Sequence, residues 1–179
     1  VNIGGMANIS QLQAQGETRG HDTGPGNVLM DAWCQLNTQN PYDKNGTWAA
    51  SGQINQELLQ QLLTENYFDL PAPKSTGREL FDLAWLQSQL TAFTAQTVAP
   101  ADVMSTITQL TVETIAMEIE KLNTSGRVIV CGGGALNQYL MAQMTERLQH
   151  FQVLSCAELE LDPQCIEAMA FAWLAKQCI

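Results

Sequence analysis

Positive charge is scarce in this sequence. Its 179 residues carry 8 Lys+Arg against 18 Asp+Glu, a formal net charge of −10. The basic residues are scattered, and only Lys74 and Arg78 fall within one helical turn of each other. A nucleic-acid backbone would be repelled by such a chain, which counts against that class of partner. Long apolar runs are also missing. The longest, Ala168 to Ala175, is far short of the ~20 residues that cross a bilayer, so no membrane partner is expected. No basic, apolar, small-residue leader opens the chain. The five cysteines (Cys34, Cys131, Cys156, Cys165, Cys178) are odd in number and lack any Cys-x-x-Cys spacing. Neither a disulfide framework nor a zinc site follows, and a reducing cytoplasm is the plainest home. What is present is apolar content, at 45 %, enough to fill the core of one domain. The chain opens Val1-Asn2-Ile3-Gly4-Gly5 inside a strand-like run with no initiator methionine, and is read as a piece of something longer.

The first quarter reads as a β-meander entering a helix: Val1 to Ile3, a Gly4-Gly5 turn, an alternating strand over Ala7 to Gln13, a turn over Gln15 to Thr18, and a third strand over Arg19 to Asp22. Asp22 to Asn27 is expected to be a defined loop rather than regular structure, because it holds two glycines and a proline. A helix is expected over Val28 to Leu36. Residues from about 37 to 100 read as a helical insertion, with helices at Gln53 to Thr64 and Leu80 to Leu90 around an ordered loop at Asn66 to Gly77. Asp102 to Leu122 has the best helical pattern, with Met104, Ile115, Ile119 and Leu122 on one face. A buried-type strand (Arg127 to Cys131), a glycine run, a helix from about Leu136 to His150 and a strand over Phe151 to Leu154 follow. Asp162-Pro163 is expected to start a last helix, with Asp162 as N-cap, that runs to about Cys178 and is buried, being apolar nearly all round. The order β-β-β-α, insertion, α-β-α-β-α is that of an α/β layer fold.

Three constellations could carry chemistry. The Gly4-Gly5 hairpin, with Asn8 just after it, lets backbone N–H groups approach an anion; the plainer reading is a tight turn. Asp22-Thr23-Gly24-Pro25-Gly26-Asn27 puts a carboxylate at a strand end, then a glycine-flanked loop and a helix N-terminus. Such an acid can act as a general base while the loop receives phosphate, or it can simply cap its own turn. His21 is expected to point to the opposite face. Gly132-Gly133-Gly134 sits between a strand and a helix, the geometry of a nucleotide loop, though neither the dinucleotide fingerprint nor a Walker ending is present.

In this order, the three loops resemble the second half of the actin-like ATPase superfamily. Longer strings narrow the resemblance: Asn2-Ile3-Gly4-Gly5-Met6-Ala7-Asn8-Ile9, Asp22 to Asn27, Pro73-Lys74-Ser75-Thr76-Gly77-Arg78-Glu79, and Glu167-Ala168-Met169-Ala170-Phe171-Ala172. Together they resemble the anhydro-N-acetylmuramic acid kinases of bacterial cell-wall recycling. His21 departs from the aromatic residue expected before the Asp, and the family's N-terminal half is missing.

The resemblance implies a mixed sheet flanked by helices, one ribonuclease H-like lobe of a two-lobed enzyme. It implies ATP and Mg²⁺, and an anhydro-sugar whose bridge is opened by water as its oxygen is phosphorylated. Carried over, Asp22 is the catalytic base. Gly4, Gly5, Thr23, Gly24, Gly26, Asn27, Gly132, Gly133 and Gly134 meet nucleotide or phosphate. Asn8, Glu167, Lys74 and Arg78 meet the sugar, and no metal ligand is assigned. For Glu167 the plainer reading is a first-turn acid complementing its helix dipole; for Lys74 and Arg78 it is a solvated loop. The four tryptophans read as core or interface. The apolar middle helices offer either a homodimer contact or lobe packing. The alternative function is a non-catalytic actin-like nucleotide-binding module, and the chain by itself is expected to be inactive without its N-terminal lobe.

Overall fold

The computed structural model describes residues 1–12, 17–95, 97–122 and 125–177. The described residues hold five strands, in a three-stranded and a two-stranded sheet that one bridge joins. β1 (Asn2–Ile3), β2 (Met6–Gln11) and β3 (Arg19–Pro25) form an antiparallel ribbon, and β4 (Gly126–Val130) pairs in parallel with β5 (Phe151–Ser155). β1 joins the two pieces: Ile3 N–H donates to Cys131 O and Cys131 N–H to Val1 O, both at 2.8 Å, in a parallel bridge. The spatial order is therefore β3-β2-β1-β4-β5. β1 is only two residues long, yet its Ile3 is fully buried at the centre of the sheet.

One strand runs further than the glycines and proline suggested. Asp22 to Pro25 is strand, not loop, and its pairing with β2 survives because the register shifts by a bulge at Ala7/Asn8. Gly24 takes φ +150°, which a side chain would resist, and Pro25 sits at the strand's last position, where its missing N–H costs little. The end of the predicted second strand and the first half of the turn after it lie outside the described residues.

The helices follow their apolar spacing with shifted ends: α1 (Val28–Thr38), α2 (Gln56–Leu62), α3 (Asn66–Asp69), α4 (Leu83–Ala92), α5 (Pro100–Leu122), α6 (Gln138–Arg147) and α7 (Ile166–Gln177). α3 lies where only a loop was expected. Asn55, Asp82 and Asn137 cap α2, α4 and α6 by accepting the N–H of Leu58, Trp85 and Leu140. α6 starts later than predicted because Gly133–Leu136 forms a 3-10 turn first.

α5 is the axis of the molecule. It is buried on nearly every side from Val103 to Val112, packing against α1, α2, α6, β2 and β3. Its buried threonines satisfy themselves: the Thr106 and Thr108 hydroxyls donate to the carbonyls four residues back. Tyr67, Phe68, Phe81 and Trp85 form an aromatic cluster with ring centroids 5.2–6.0 Å apart. Trp33 is buried, and Trp48 and Trp85 pack against the core.

α7 corrects the expectation of a buried helix. None of its described residues is buried, and Met169, Phe171, Trp173 and Leu174 are each at least half exposed. Apolar composition buries a helix only where another apolar face lies against it, and no element among the described residues supplies one. Regular helix also begins at Ile166: Asp162 Oδ1 accepts from Gln164 N–H in the turn that precedes it. Cys178 lies outside the described residues. No helix among the described residues is long and apolar enough to cross a membrane.

Candidate functional site

The Gly4-Gly5 hairpin docks on the N-terminus of α1. Gly5 O accepts from the N–H groups of Gly26 (2.9 Å) and Val28 (3.1 Å), and Gly4 O from that of Asn27 (2.7 Å). The carbonyls of the hairpin thus serve donors that would otherwise be orphaned at the helix start. Gly26 and Asn27 were expected to present those N–H groups to phosphate; the structure has already engaged them. Thr23 is buried, and its hydroxyl donates to Ala7 O at 3.2 Å, tying β3 to β2. At Gly24 a Cβ would stand 2.8 Å from Phe68 Cε1. These residues build the corner on which α1 starts. At Gly5, by contrast, the N–H carries no hydrogen bond among the described residues, and Arg78 Nη2 lies 3.7 Å from where a Cβ would stand. An exposed guanidinium beside a free N–H is a place for an anion.

The glycine run divides the same way. A Cβ on Gly132 (φ +81°) would stand 2.6 Å from Ile3 O, and one on Gly134 would overlap Ile3 Cγ2. Both are glycine because β1 packs directly on them. Gly133 is exposed, with Asn27 Nδ2 as its one near neighbour, at 3.2 Å from that missing Cβ. Gly133 and Asn27 line a cleft of about 720 Å³, which Asp31, Tyr42, Lys44 and Asn137 help to wall. That is the size class of small-molecule sites. The turn at 43–46 closes one side, where Gly46 (φ +71°) packs on Asn137 and Tyr139. Asp43 braces that turn by accepting from the N–H groups of Trp48 and Ala49. In Asp31, burial pushes the carboxyl up to about 6, against the lowering charge of Arg78.

Asp22 is gripped by the segment 74–76. Its N–H donates to Lys74 O (3.0 Å), and its Oδ2 accepts from Ser75 Oγ (2.8 Å) and Thr76 N–H (3.1 Å). Its carbonyl accepts from the Tyr67 hydroxyl at 2.8 Å; burial, with the charges of Asp22 and Glu118, pushes the Tyr67 pKa up, so it remains a donor. One carboxylate oxygen is pinned, while Oδ1 has no partner among the described residues. Asn8 lies directly opposite Asp22 in the β2–β3 register. The Thr76 hydroxyl is buried without a partner among the described residues. So the string Lys74 to Arg78 links two constellations: Ser75 and Thr76 hold Asp22, and Arg78 reaches the hairpin.

Lys74 itself is neither solvated nor free for a ligand. Its side chain is 3 % exposed, and its Nζ donates to Glu118 Oε1 (2.8 Å), Phe68 O (3.0 Å) and Tyr67 O (3.3 Å), 4.9 Å from the Tyr67 ring centroid. Every donor of the ammonium is used, which leaves none for a sugar carboxylate. Glu118 also accepts from His21 Nε2 and Lys121 Nζ, both at 2.9 Å. Burial alone would raise its pKa; the hydrogen bonds from Lys74, Lys121 and His21 outweigh that and hold it at about 2.

The model of the family described as anhydro-N-acetylmuramic acid kinase matches residues 1–179, the whole chain. The chain belongs to the anhydro-N-acetylmuramic acid kinase family. It is 49 % identical over 178 residues to the anhydro-N-acetylmuramic acid kinase of Shewanella pealeana, and 47 % identical over 181 residues to that of Vibrio cholerae. Those alignments cover 99 % and 100 % of this chain and 48 % of each relative, so the chain spans about half the length of the curated relatives it matches. In fold it is similar to the activator of 2-hydroxyisocaproyl-CoA dehydratase from Clostridium difficile, solved with bound ADPNP. There the TM-score is 0.56 at 11 % identity, covering 99 % of this chain and 62 % of that one. The mixed α/β fold of this member of the kinase family is thus one that it shares with that activator.

Glu167, in the first turn of α7, is exposed, and no hydrogen bond joins it to the Asp22 cluster. The residues that sequence reading missed are Asp31, Tyr42, Lys44 and Asn137 in the cleft, and Glu118 with Tyr67 behind Asp22. The four cleft residues lie on three separated stretches, and Glu118 reads as one polar position on an apolar helix; only the turn-rich composition of residues 37–52 hinted at a site. No cluster of three or more His, Cys, Asp or Glu side chains able to hold a metal ion occurs among the described residues. Mg²⁺ carried by a nucleotide needs only one or two carboxylates beside phosphate oxygens, so the chain fits such an ion only as a passenger of the nucleotide.

Proposed function

We propose that this chain is the C-terminal, nucleotide-binding lobe of an ATP-dependent kinase acting on 1,6-anhydro-N-acetylmuramic acid, in cytoplasmic peptidoglycan recycling. The observation that carries the reading is the link made by residues 74–78, which fixes Asp22 at one end and sets Arg78 beside Gly5 at the other. The nucleoside of ATP occupies the cleft against Gly133, its phosphates run toward Gly5 and Arg78, and the sugar sits beyond them at Asp22 and Asn8. The ADPNP bound by the structural neighbour supports a nucleotide in this fold.

In this reading Asp22 Oδ1 takes a proton from water, and the water oxygen bonds to the anomeric carbon. The bond from that carbon to the bridging oxygen breaks, and the bridging oxygen takes the γ-phosphoryl group as ADP leaves. The proton then passes from Asp22 to solvent. An ionised Asp is a weak base, so its assistance is worth about 10²–10⁴-fold at most and positioning must supply the rest. The pinning of Oδ2 serves that end. Mg²⁺ bound with the nucleotide would neutralise charge on the phosphates.

The test restores the preceding half of the polypeptide and measures sugar 6-phosphate formed from ATP and the anhydro-sugar. Product is expected, and Asp22→Asn is expected to abolish it; an undiminished variant refutes the base assignment. The chain of residues 1–179 alone is expected to form no product. The second reading, a nucleotide-binding module without sugar chemistry, is favoured by a structural neighbour that is named an activator rather than a kinase. ATP hydrolysis by the restored protein that is indifferent to the sugar would decide for it.

A further inference from the structure

Asp22 is held by backbone and hydroxyl groups that have no rigidity of their own. Ser75 is exposed, and the segment 70–80 contains no regular helix or strand. What fixes the segment is Lys74, whose side chain is anchored in the interior by Glu118 and the Tyr67 and Phe68 carbonyls. What fixes the strand on the other side of Asp22 is His21, whose ring bonds the second oxygen of the same Glu118. Two of the three residues that Glu118 grips are thus the neighbour of Asp22 in sequence and the residue whose carbonyl accepts the Asp22 N–H. Glu118 in turn sits on α5, the most buried helix of the molecule. The same face of α5 carries Thr111, whose hydroxyl lies 3.0 Å from Pro25 O and 3.1 Å from Gly26 O at the far end of β3. A rail of polar groups on one rigid helix therefore holds both ends of the Asp22 corner.

We propose that Glu118 is a positioning residue for the reaction: by clamping His21 and Lys74 it sets the orientation of the Asp22 carboxylate, with Oδ2 turned to Ser75 and Thr76 and Oδ1 left for substrate. The proposal rests on the reading of Asp22 as the base. Glu118 does not touch substrate; its charge is spent on His21, Lys74 and Lys121. The alternative role, a stability element only, predicts different kinetics. A base that has lost its orientation slows the chemical step and leaves nucleotide binding alone, since the cleft is walled by other residues.

The experiment uses the full-length enzyme with four single variants: Asp22→Asn, Glu118→Gln, His21→Ala and Ser75→Ala. Glu118→Gln is expected to lower kcat by about 10- to 100-fold, with KM for ATP changed by less than about threefold, the size seen when a group supporting a functional residue is lost. His21→Ala removes one arm of the clamp while Glu118 keeps its two lysines, so it keeps the test open should Glu118→Gln not fold. It is expected to show the same split more weakly. Combining either with Ser75→Ala is expected to cost less than the product of the single effects, because all act through one carboxylate. Wild-type kcat in a folded Glu118→Gln or His21→Ala enzyme overturns the proposal. So does a loss that multiplies fully with that of Ser75→Ala, or one confined to KM for ATP. If Asp22→Asn keeps its turnover, the base reading itself has failed; if Asp22→Asn is dead and the clamp variants are not impaired, only the positioning role has.

Discussion

The glycine run gives the sharpest test of how this chain divides structure from ligand binding. Three adjacent glycines face two kinds of surroundings, so their alanine substitutions should give two different results. At Gly134 the added methyl would overlap Ile3 Cγ2 and stand 2.6 Å from Ile3 Cβ, against a fully buried side chain with no room to yield. Overpacking of that kind costs roughly 1–3 kcal/mol, and the upper end applies because β1 joins both parts of the sheet. At Gly132 the cost of φ +81°, roughly 1–2 kcal/mol for an L side chain, adds to a contact of 2.6 Å with Ile3 O. At Gly133 the methyl meets only Asn27 Nδ2, a side chain that can swing away, and the cost is below about 1 kcal/mol. With about 2–4 °C of Tm per kcal/mol for a chain of this size, Gly134→Ala and Gly132→Ala should lower Tm by about 6–12 °C, and Gly133→Ala by less than about 3 °C. ATP titration calorimetry on the full-length protein should show the reverse ranking, with Gly133→Ala weakening binding by at least about tenfold because its methyl enters the cleft. The reasoning is refuted if Gly133→Ala unfolds as early as Gly134→Ala, or if Gly134→Ala leaves Tm unchanged while ATP binding is lost.

Three further outcomes follow from the charges. Glu118 is held at about 2 in the folded protein, below its ordinary 4.5, so its ionised form stabilises the fold above pH ~5 and that contribution fades as pH falls toward 2. Urea unfolding across that window should lose roughly 2 kcal/mol more in the native protein than in Glu118→Gln, the figure discounted because Lys121 is half exposed; parallel profiles would contradict the assignment. Asp31 shifts the other way: its carboxyl, raised to about 6, favours the fold at pH 4 and weakens it as pH rises through 6. Asp31→Asn should therefore raise Tm by about 2 °C at pH 7.5 and by nothing at pH 4, as read by thermal unfolding. Arg78 is exposed beside Gly5, so Arg78→Ala should leave Tm within about 1 °C while raising KM for ATP or sugar severalfold; an unchanged KM for both removes it from the site.

The order of strands and helices was legible because periodicity reports which face meets a core, and α5, β4 and α1 all lie where the apolar spacing put them. The errors came where one residue's environment is set by a distant segment. Asp22-Thr23-Gly24-Pro25 contains the residues of a loop, yet a bulge in β2 accommodates them as strand. Lys74 in a polar string looks solvated, and nothing local reveals that Glu118, 44 positions along the chain, waits for it on α5. The composition of α7 reads as that of a buried helix, yet no described element lies against its apolar face.

Those errors bear directly on what the site strings mean. Read as sequence, Pro73 to Glu79 is a basic, polar loop, and its two cations are the obvious candidates for substrate contact. Folded, the two part company. Lys74 points inward, has every donor engaged and exchanges solvation for an ion pair with Glu118, while Arg78 stays at the surface beside an open N–H. A buried pair of that kind adds little net stability, since desolvating two charges offsets most of their attraction; what it secures is one conformation. Ser75 and Thr76 sit between anchor and guanidinium, so a segment without regular structure presents its hydroxyl and N–H to Asp22 with the definition of a helix. The distinction also orders the glycines: Gly132 and Gly134 are small because Ile3 requires it, and Gly133 alone is left facing the cleft. The short strings that carry the family resemblance therefore mix buried residues that hold their neighbours still with exposed residues left open to solvent, and burial with donor accounting separates the two.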